Sequence, residues 1–264
     1  MSNESKGKAL ITGASSGIGE VYAQRLADRG YDLILVARRV ERLEALARKI
    51  AGRTGRKVEV LQTDLGERAG IADVERRLTE DTAITLFVNN AGISLEGSIL
   101  ENGSEQIEKL ITVNTLAPTL LAAAAAKAFV ARNQGGIISI ASVLAFVPEM
   151  MDGLYSGTKA HLVNITLGLA AKLQGTNVRA QAVLPGATRS EIWEKSGKDI
   201  DALMPGMVMD TADLVDAALV GYDRGEVITI PPLADEDQFR AYDAARLAMA
   251  PNLSRKDVAP RYRA

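Results

Sequence analysis

Short apolar runs rich in Val, Ile and Leu alternate along this chain with longer segments in which apolar residues recur at helical spacing. Ala9–Thr12, Leu33–Ala37, Val58–Gln62, Ile84–Asn89, Gly136–Ala141, Val178–Leu184 and Val227–Ile230 read as seven strands. Between them, Gly17–Arg29, Val40–Ala51 and Val74–Glu80 read as amphipathic helices. The alternation predicts an α/β fold, a doubly wound parallel sheet with helices on both faces. In such sheets ligands bind beyond the carboxyl ends of the strands, so function is sought in the residues that follow each strand.

Two longer helices, roughly Glu105–Arg132 and Leu154–Gln174, are rich in Ala, Leu and Val and include the run Ala122–Ala126. They read as packing on the sheet, although their small residues also permit close contact between subunits. Pro118 interrupts the first of them and removes the hydrogen bond to the carbonyl of Asn114. That predicts a helix distorted at Asn114, with polar groups released for water or a side chain, or else a tolerated kink. Beyond Pro231-Pro232 lies a charged helical tail, Asp237–Met249, then Arg/Lys-rich residues. Residues 1–264 are expected to form one domain with 231–264 as a helical extension of unassigned role.

Composition narrows the picture. Hydrophobic residues at 47% and charged residues at 24% suit a folded globular chain, and 264 residues are enough for one large core. A net charge of -2, with both signs interspersed, supplies no basic stripe for nucleic acid. The absence of cysteine excludes thiolate chemistry and Cys-ligated metals, and a single histidine, His161, excludes a multi-His metal site. Met1 to Lys8 lacks the apolar segment of a signal peptide, and no apolar run reaches the about 20 residues that span a bilayer. The expectation is a soluble, cytoplasmic protein with no membrane partner and no metal.

The first strand runs into Thr12-Gly13-Ala14-Ser15-Ser16-Gly17-Ile18-Gly19, after which a helical pattern begins. Glycines allow a tight turn and close approach of backbone to a pyrophosphate, and the helix N-terminus favours the negative charge. The spacing is Gly-x3-Gly-x-Gly, not the commoner Gly-x-Gly-x2-Gly of Rossmann-type dinucleotide sites. A tight strand–helix turn without a ligand is the other reading. The second strand ends Val36-Ala37-Arg38-Arg39, with no acid where the adenosine ribose of NAD would be held. Arg38, with Arg39 as a second candidate, therefore points to the 2′-phosphate of NADP, with Ser15 and Ser16 as further donors; a solvated arginine pair at a helix start is the alternative.

Tyr155 and Lys159 lie four residues apart at the start of a helical segment and share a face. A free phenol has a pKa of roughly 10, and a nearby ammonium lowers it towards the range where the phenol exchanges a proton with a carbonyl or alcohol oxygen. Alone, such a pair is common surface decoration. Ser142 follows the fifth strand on the ligand side of the sheet, where its hydroxyl could hold a substrate oxygen.

Taken in order, Thr12-Gly13-x3-Gly17-x-Gly19, Asp64, Asn89-Asn90-Ala91-Gly92, Asn114, Ser142, Tyr155-x3-Lys159 and Pro185-Gly186 resemble the short-chain dehydrogenase/reductase family, in its single-domain branch, over residues 7 to about 230. The resemblance implies a seven-stranded Rossmann-type sheet and hydride transfer between NADP(H), with NAD(H) possible, and a carbonyl or secondary alcohol substrate. It implies that Tyr155 is the general acid in reduction and the base in oxidation, and that Ser142 polarises the reacting oxygen. Lys159 would lower the tyrosine pKa and bind the nicotinamide ribose, while Asn114 would hold a relay water. Asp64 and Leu65 would meet the adenine, and Asn90, Ala91 and Gly92 the central part of the cofactor. Pro185, Gly186, Thr188 and Ser190 would position the carboxamide, Ser190 standing where the family usually has threonine. His161 projects off the Tyr155 and Lys159 face and reads as structural.

The segment Glu191–Asp210 holds Ile192, Trp193, Leu203, Met204, Met207, Val208 and Met209 among polar residues. It reads as a partly apolar lid suited to a medium-sized apolar or acyl carbonyl compound, or as ordinary packing or a subunit contact. The family usually assembles through its two long helices, which implies a homodimer or homotetramer. Two other readings compete: a nucleotide-sugar epimerase, which resembles a longer chain, and a redox sensor that binds NADPH without turnover, against which the intact Ser142, Tyr155, Lys159 and Asn114 set argues.

Overall fold

The computed structural model describes residues 5–189 and 200–263. Along the chain run β1 Lys8–Thr12, α1 Gly17–Asp28, β2 Asp32–Ala37, α2 Val40–Thr54, β3 Val58–Gln62, α3 Arg68–Glu80 and β4 Ile84–Asn89. There follow α4 Ser104–Ile111, a π turn Thr112–Leu116, α5 Ala117–Arg132, β5 Gly135–Ile140, α6 Gly153–Lys172, β6 Val178–Val183, the short α7 Ile200–Leu203, α8 Thr211–Arg224, β7 Ile228–Thr229 and α9 Glu236–Met249.

The strands form one seven-stranded sheet in the order β3-β2-β1-β4-β5-β6-β7, with every pairing parallel. Chain direction across the sheet reverses between β1 and β4, so the connections that leave these two neighbours diverge and open a crevice there. Strand alternation feeds two cores. Ala9 and Ile11 of β1 join Tyr22, Leu26 and Leu219 on one face, while Leu10 between them joins Phe87, Leu121 and Phe129 on the other. All nine of these side chains are at most 1% exposed, and burying each large one contributes about 1.5–3 kcal/mol.

Several elements differ from the sequence expectation. Helix α3 begins at Arg68, well before Val74, and buries Gly70 and Ile71 in its first turn; a Cβ on Gly70 would stand 2.1 Å from the Asp64 carbonyl oxygen. Strand β7 shortens to Ile228–Thr229, and β5 and β6 end one residue early, at Ile140 and Val183. The expected distortion at Asn114 is present as the π turn that separates α4 from α5. The stretch Ser104–Arg132 is long and apolar enough by composition to cross a membrane, but half of its most apolar window is buried in the fold. Leu110, Ala117, Leu121, Ala125 and Phe129 are all fully buried, as befits a core helix of the sheet.

Two compact units divide the chain, Met1–Pro231 and Pro232–Ala264. Within the second, the Asp235 carboxylate accepts the Asp237 N–H at 3.0 Å to start α9, and Arg246 pairs with Asp243 one turn back at 2.7 Å.

Candidate active site

The turn after β1 and the loop after β4 are stapled together at the crevice. Buried Thr12 accepts the N–H groups of Asn90 and Ala91 on Oγ1, at 3.0 and 3.1 Å. In return, Asn90 Nδ2 donates to the Thr12 carbonyl at 2.8 Å. Gly13 turns with φ +68, and a Cβ on Gly19 would lie 2.4 Å from the Gly13 carbonyl oxygen and 2.6 Å from Asn90 Nδ2. Only glycine allows α1 to start this close to the strand it follows.

Ser16 is the N-cap of α1, yet its side chain makes no capping hydrogen bond. Its hydroxyl instead meets Arg39 Nη2 at 2.9 Å, and the same guanidinium donates to Ser15 Oγ at 3.0 Å from Nη2 and 3.3 Å from Nε. The first-turn N–H groups of α1 thus have no side-chain cap, beside a cationic fork and two hydroxyls; this is the donor set of an anion site. Arg38 is the arginine the sequence puts first for a phosphate, and it is Arg39 that lies on the serines of the glycine turn. Consecutive side chains leave an extended segment on opposite sides, so Arg39 reaches the glycine turn while Arg38 lies 3.7 Å from Asp64 Oδ2 at the end of β3, both half-exposed. Asp64 Oδ1 accepts the Gly66 N–H at 2.8 Å, and Leu65 behind it is buried.

At the ends of β5 and β6 a second cluster forms. Val143 N–H donates to the Pro185 carbonyl at 3.0 Å and fixes the two connections against each other. Ser142 is buried, and its Oγ accepts the Leu144 N–H at 3.2 Å. Occupied as an acceptor, that hydroxyl has its O–H to direct elsewhere. Helix α6 begins where Asp152 accepts the Tyr155 N–H at 3.3 Å, and one turn on, Lys159 is almost wholly buried with Nζ donating to the Ile140 carbonyl at 2.9 Å. Lys159 Nζ stands 5.6 Å from the centre of the Tyr155 ring.

Asn114 lies in the π turn, 1% exposed, and is clamped on three sides. Its Oδ1 accepts the Ile93 N–H at 2.8 Å, and its Nδ2 donates to the Ile93 carbonyl at 2.8 Å and to Thr158 Oγ1 at 3.3 Å. A Cβ built on Gly92 would be 3.4 Å from both Asn114 Oδ1 and Lys159 Nζ. The amide oxygen and the ammonium therefore both border the space that a side chain on Gly92 would fill.

Burial pushes the Tyr155 phenol up to about 12 and the Lys159 ammonium down to about 8. Where the sequence suggests a phenol lowered by Lys159, burial in the chain by itself acts the other way, because it strips water from the phenolate. Burial thus favours the neutral form of both groups.

Thr188 is buried, with Oγ1 donating to the Gly186 carbonyl at 3.0 Å, and it bridges to Met209 in the segment expected to be a lid. Arg189 pairs with Asp210 at 2.9 Å and with Asp201, tying the two ends of that segment. Ser190 and residues 191–199, Ile192 and Trp193 included, lie outside the described residues. His161 sits off the cluster, with Nε2 2.8 Å from Thr119 Oγ1. Among the described residues no group of three His, Asp or Glu side chains could hold a metal ion. Sequence reasoning gave no role to Ile93 or Thr158. Ile93 acts through its backbone and leaves no side-chain signal, whereas Thr158 was visible beside Lys159 but unremarkable until Asn114 was seen to reach it.

Residues 7–201 match the family described as short chain dehydrogenase. The chain belongs to that family. Its structure superposes on a short-chain dehydrogenase from Sphingobium yanoikuyae in complex with NADPH, with a TM-score of 0.93 and 46% identity over 97% of this chain and 100% of that one. It is similar to the bulky-bulky ketone specific alcohol dehydrogenase from Comamonas testosteroni, with a TM-score of 0.90 and 40% identity over 98% and 99% of the two chains. A very-long-chain 3-oxoacyl-CoA reductase from Anas platyrhynchos is 31% identical over 75% of this chain and 64% of its own length. As a short-chain dehydrogenase, the protein is an oxidoreductase whose parallel seven-stranded sheet is the one found in its relatives.

Proposed function

We propose that this short-chain dehydrogenase transfers a hydride between NADP(H), used in preference to NAD(H), and a carbonyl or secondary alcohol of medium size and largely apolar character. The observation that carries the reading is the convergence of Ser142, Tyr155, Lys159 and Asn114 at the carboxyl ends of β4 and β5 and the start of α6, together with Arg39 on the serines of the glycine turn. The nicotinamide, when bound, supplies or accepts the hydride.

The remaining work falls to the chain. Gly13, Ser15, Ser16, Gly17, Ile18 and Gly19 offer a turn open to pyrophosphate, and Arg39 with the two serine hydroxyls fits a ribose 2′-phosphate. Arg38 and Asp64 stand at the adenine end, Asn90, Ala91 and Gly92 line the middle, and Pro185, Gly186 and Thr188 lie at the nicotinamide end. In reduction, Tyr155 O–H gives its proton to the carbonyl oxygen, whose developing charge also takes a hydrogen bond from Ser142 Oγ. Lys159 then stabilises the phenolate, and Asn114, which borders the same space at Gly92, holds the water through which the proton is replaced. In oxidation the same groups act in reverse.

Three observations support the substrate class. Met150, Met151 and Met207, at 69%, 52% and 65% exposure, stand on segments that follow β5 and β6, and methionine adapts to irregular apolar ligands. By their names, two similar proteins act on bulky ketones and on a very-long-chain 3-oxoacyl-CoA. We also propose a homodimer or homotetramer: α5 carries apolar residues on its outer face as well as its inner one, with Leu116 just before it 45% exposed and Val130 43%. The test is NADPH oxidation by the purified chain across ketones, aldehydes, keto-esters and acyl-thioester analogues. Turnover abolished by Tyr155→Phe is the expected result; undiminished turnover in that variant would overturn the assignment.

A further inference from the structure

The hydrogen bonds of the single histidine run towards Asn114. Thr119 Oγ1 donates to the Thr115 carbonyl, one residue beyond Asn114 in the π turn, and so has only lone pairs to offer His161. His161 Nε2, at 2.8 Å, is therefore the donor, which fixes that nitrogen as the protonated one. A chain of two hydrogen bonds thus leads from α6, through α5, to the backbone of the turn that presents Asn114.

The turn needs such support. Pro118 has no N–H to give, and the turn is closed by the wider bond from the Ala117 N–H to the Thr112 carbonyl. A π turn has looser backbone bonding than an α-helix, and its position depends on what holds it from outside. Asn89 Nδ2 holds it on the sheet side by donating to the Pro118 carbonyl at 2.9 Å. Thr119 and His161 hold it on the α6 side. Asn114 itself keeps its Oδ1 on the Ile93 N–H, beside the Gly92 space that Lys159 Nζ also borders.

We propose that His161 and Thr119 are positioning residues for the reaction: through the Thr115 carbonyl they fix the π turn, and so set the place of Asn114 relative to Lys159. Neither touches the reacting atoms. The proposal rests on the reading of Asn114 as part of the proton path.

The experiment is a double-mutant cycle on kcat for ketone reduction, with NADPH binding by fluorescence checked for every variant. Thr119→Val, which keeps the shape and removes the hydroxyl, and His161→Leu are each expected to lower kcat by about tenfold, the range of coupling between residues of one hydrogen-bonded network, with KM for NADPH unchanged. His161→Gln, which restores an N–H donor, is expected to recover most of the loss. In an Asn114→Ala background, Thr119→Val should cost nothing further. Equal losses in both backgrounds, or no loss in the wild-type background, would overturn the proposal. If Asn114→Ala alone leaves turnover intact, the proton-path reading fails instead, and the two failures are thereby separable.

Discussion

Lys159 Nζ is held at 2.9 Å from the carbonyl oxygen of Ile140, the last residue of β5, in a site that leaves the lysine 4% exposed. One carbonyl is thin compensation for a buried ammonium, which is why its pKa falls to about 8.

Stability should therefore rise with pH over a defined window. The folded lysine loses its proton near 8 and the unfolded one near 10.5, so between these values the unfolded chain binds more protons, and raising the pH favours the folded state. Over the full window the gain is about 3 kcal/mol. Tyr155, raised to about 12, acts in the opposite sense only above 10. Urea unfolding at roughly pH 7.5 and 9.5 should show the increase in the wild type and lose it in Lys159→Met; parallel slopes for both proteins would contradict the assignment.

Arg39 and Arg38 should separate in a binding titration. Arg39→Ala removes the fork on Ser15 and Ser16 and is expected to weaken NADPH by at least about tenfold while leaving NADH little changed. Arg38→Ala, which loses a half-exposed contact with Asp64, should weaken both cofactors alike and by less. A larger loss of NADPH for Arg38→Ala than for Arg39→Ala would restore the order expected from sequence.

Gly19→Ala should damage the cofactor site more than its size suggests. The added methyl would meet the backbone carbonyl of Gly13 at 2.4 Å, and the carbonyl cannot move without disturbing the glycine turn. Loss of dinucleotide binding with secondary structure retained by circular dichroism is the expected outcome. Unchanged binding would show that the turn relaxes freely.

Asp152→Ala tests how far the start of α6 fixes Tyr155. Loss of an N-cap costs about 1 kcal/mol, and here the cap bonds the N–H of Tyr155 itself. Thermal unfolding should show the loss, turnover should fall with it, and Asp152→Ser, also a good cap, should recover both. If Asp152→Ala left both quantities untouched, the cap would have no part in placing the phenol.

Much of this was legible in the chain. Alternating apolar runs gave the parallel sheet, and Pro118 marked the π turn four residues after Asn114. Other features were hidden for physical reasons. The clamp on Asn114 is made by the backbone of Ile93, whose side chain carries no sign of it. The order of Arg38 and Arg39 depended on which side of the chain each leaves, and their adjacency in sequence does not tell. The phenol was expected to be lowered by Lys159, because burial of both groups cannot be read from their spacing.

The bond from Thr12 to Asn90 closes a loop of 78 residues, an entropic cost on the order of 4 kcal/mol, against the about 1 kcal/mol that one hydrogen bond returns. It cannot form first. It is the pairing of β4 along β1 that brings the two loops together. The dinucleotide crevice therefore depends on that one strand pairing, and a nascent or damaged chain in which β1 and β4 do not lie side by side has no partial version of it to offer.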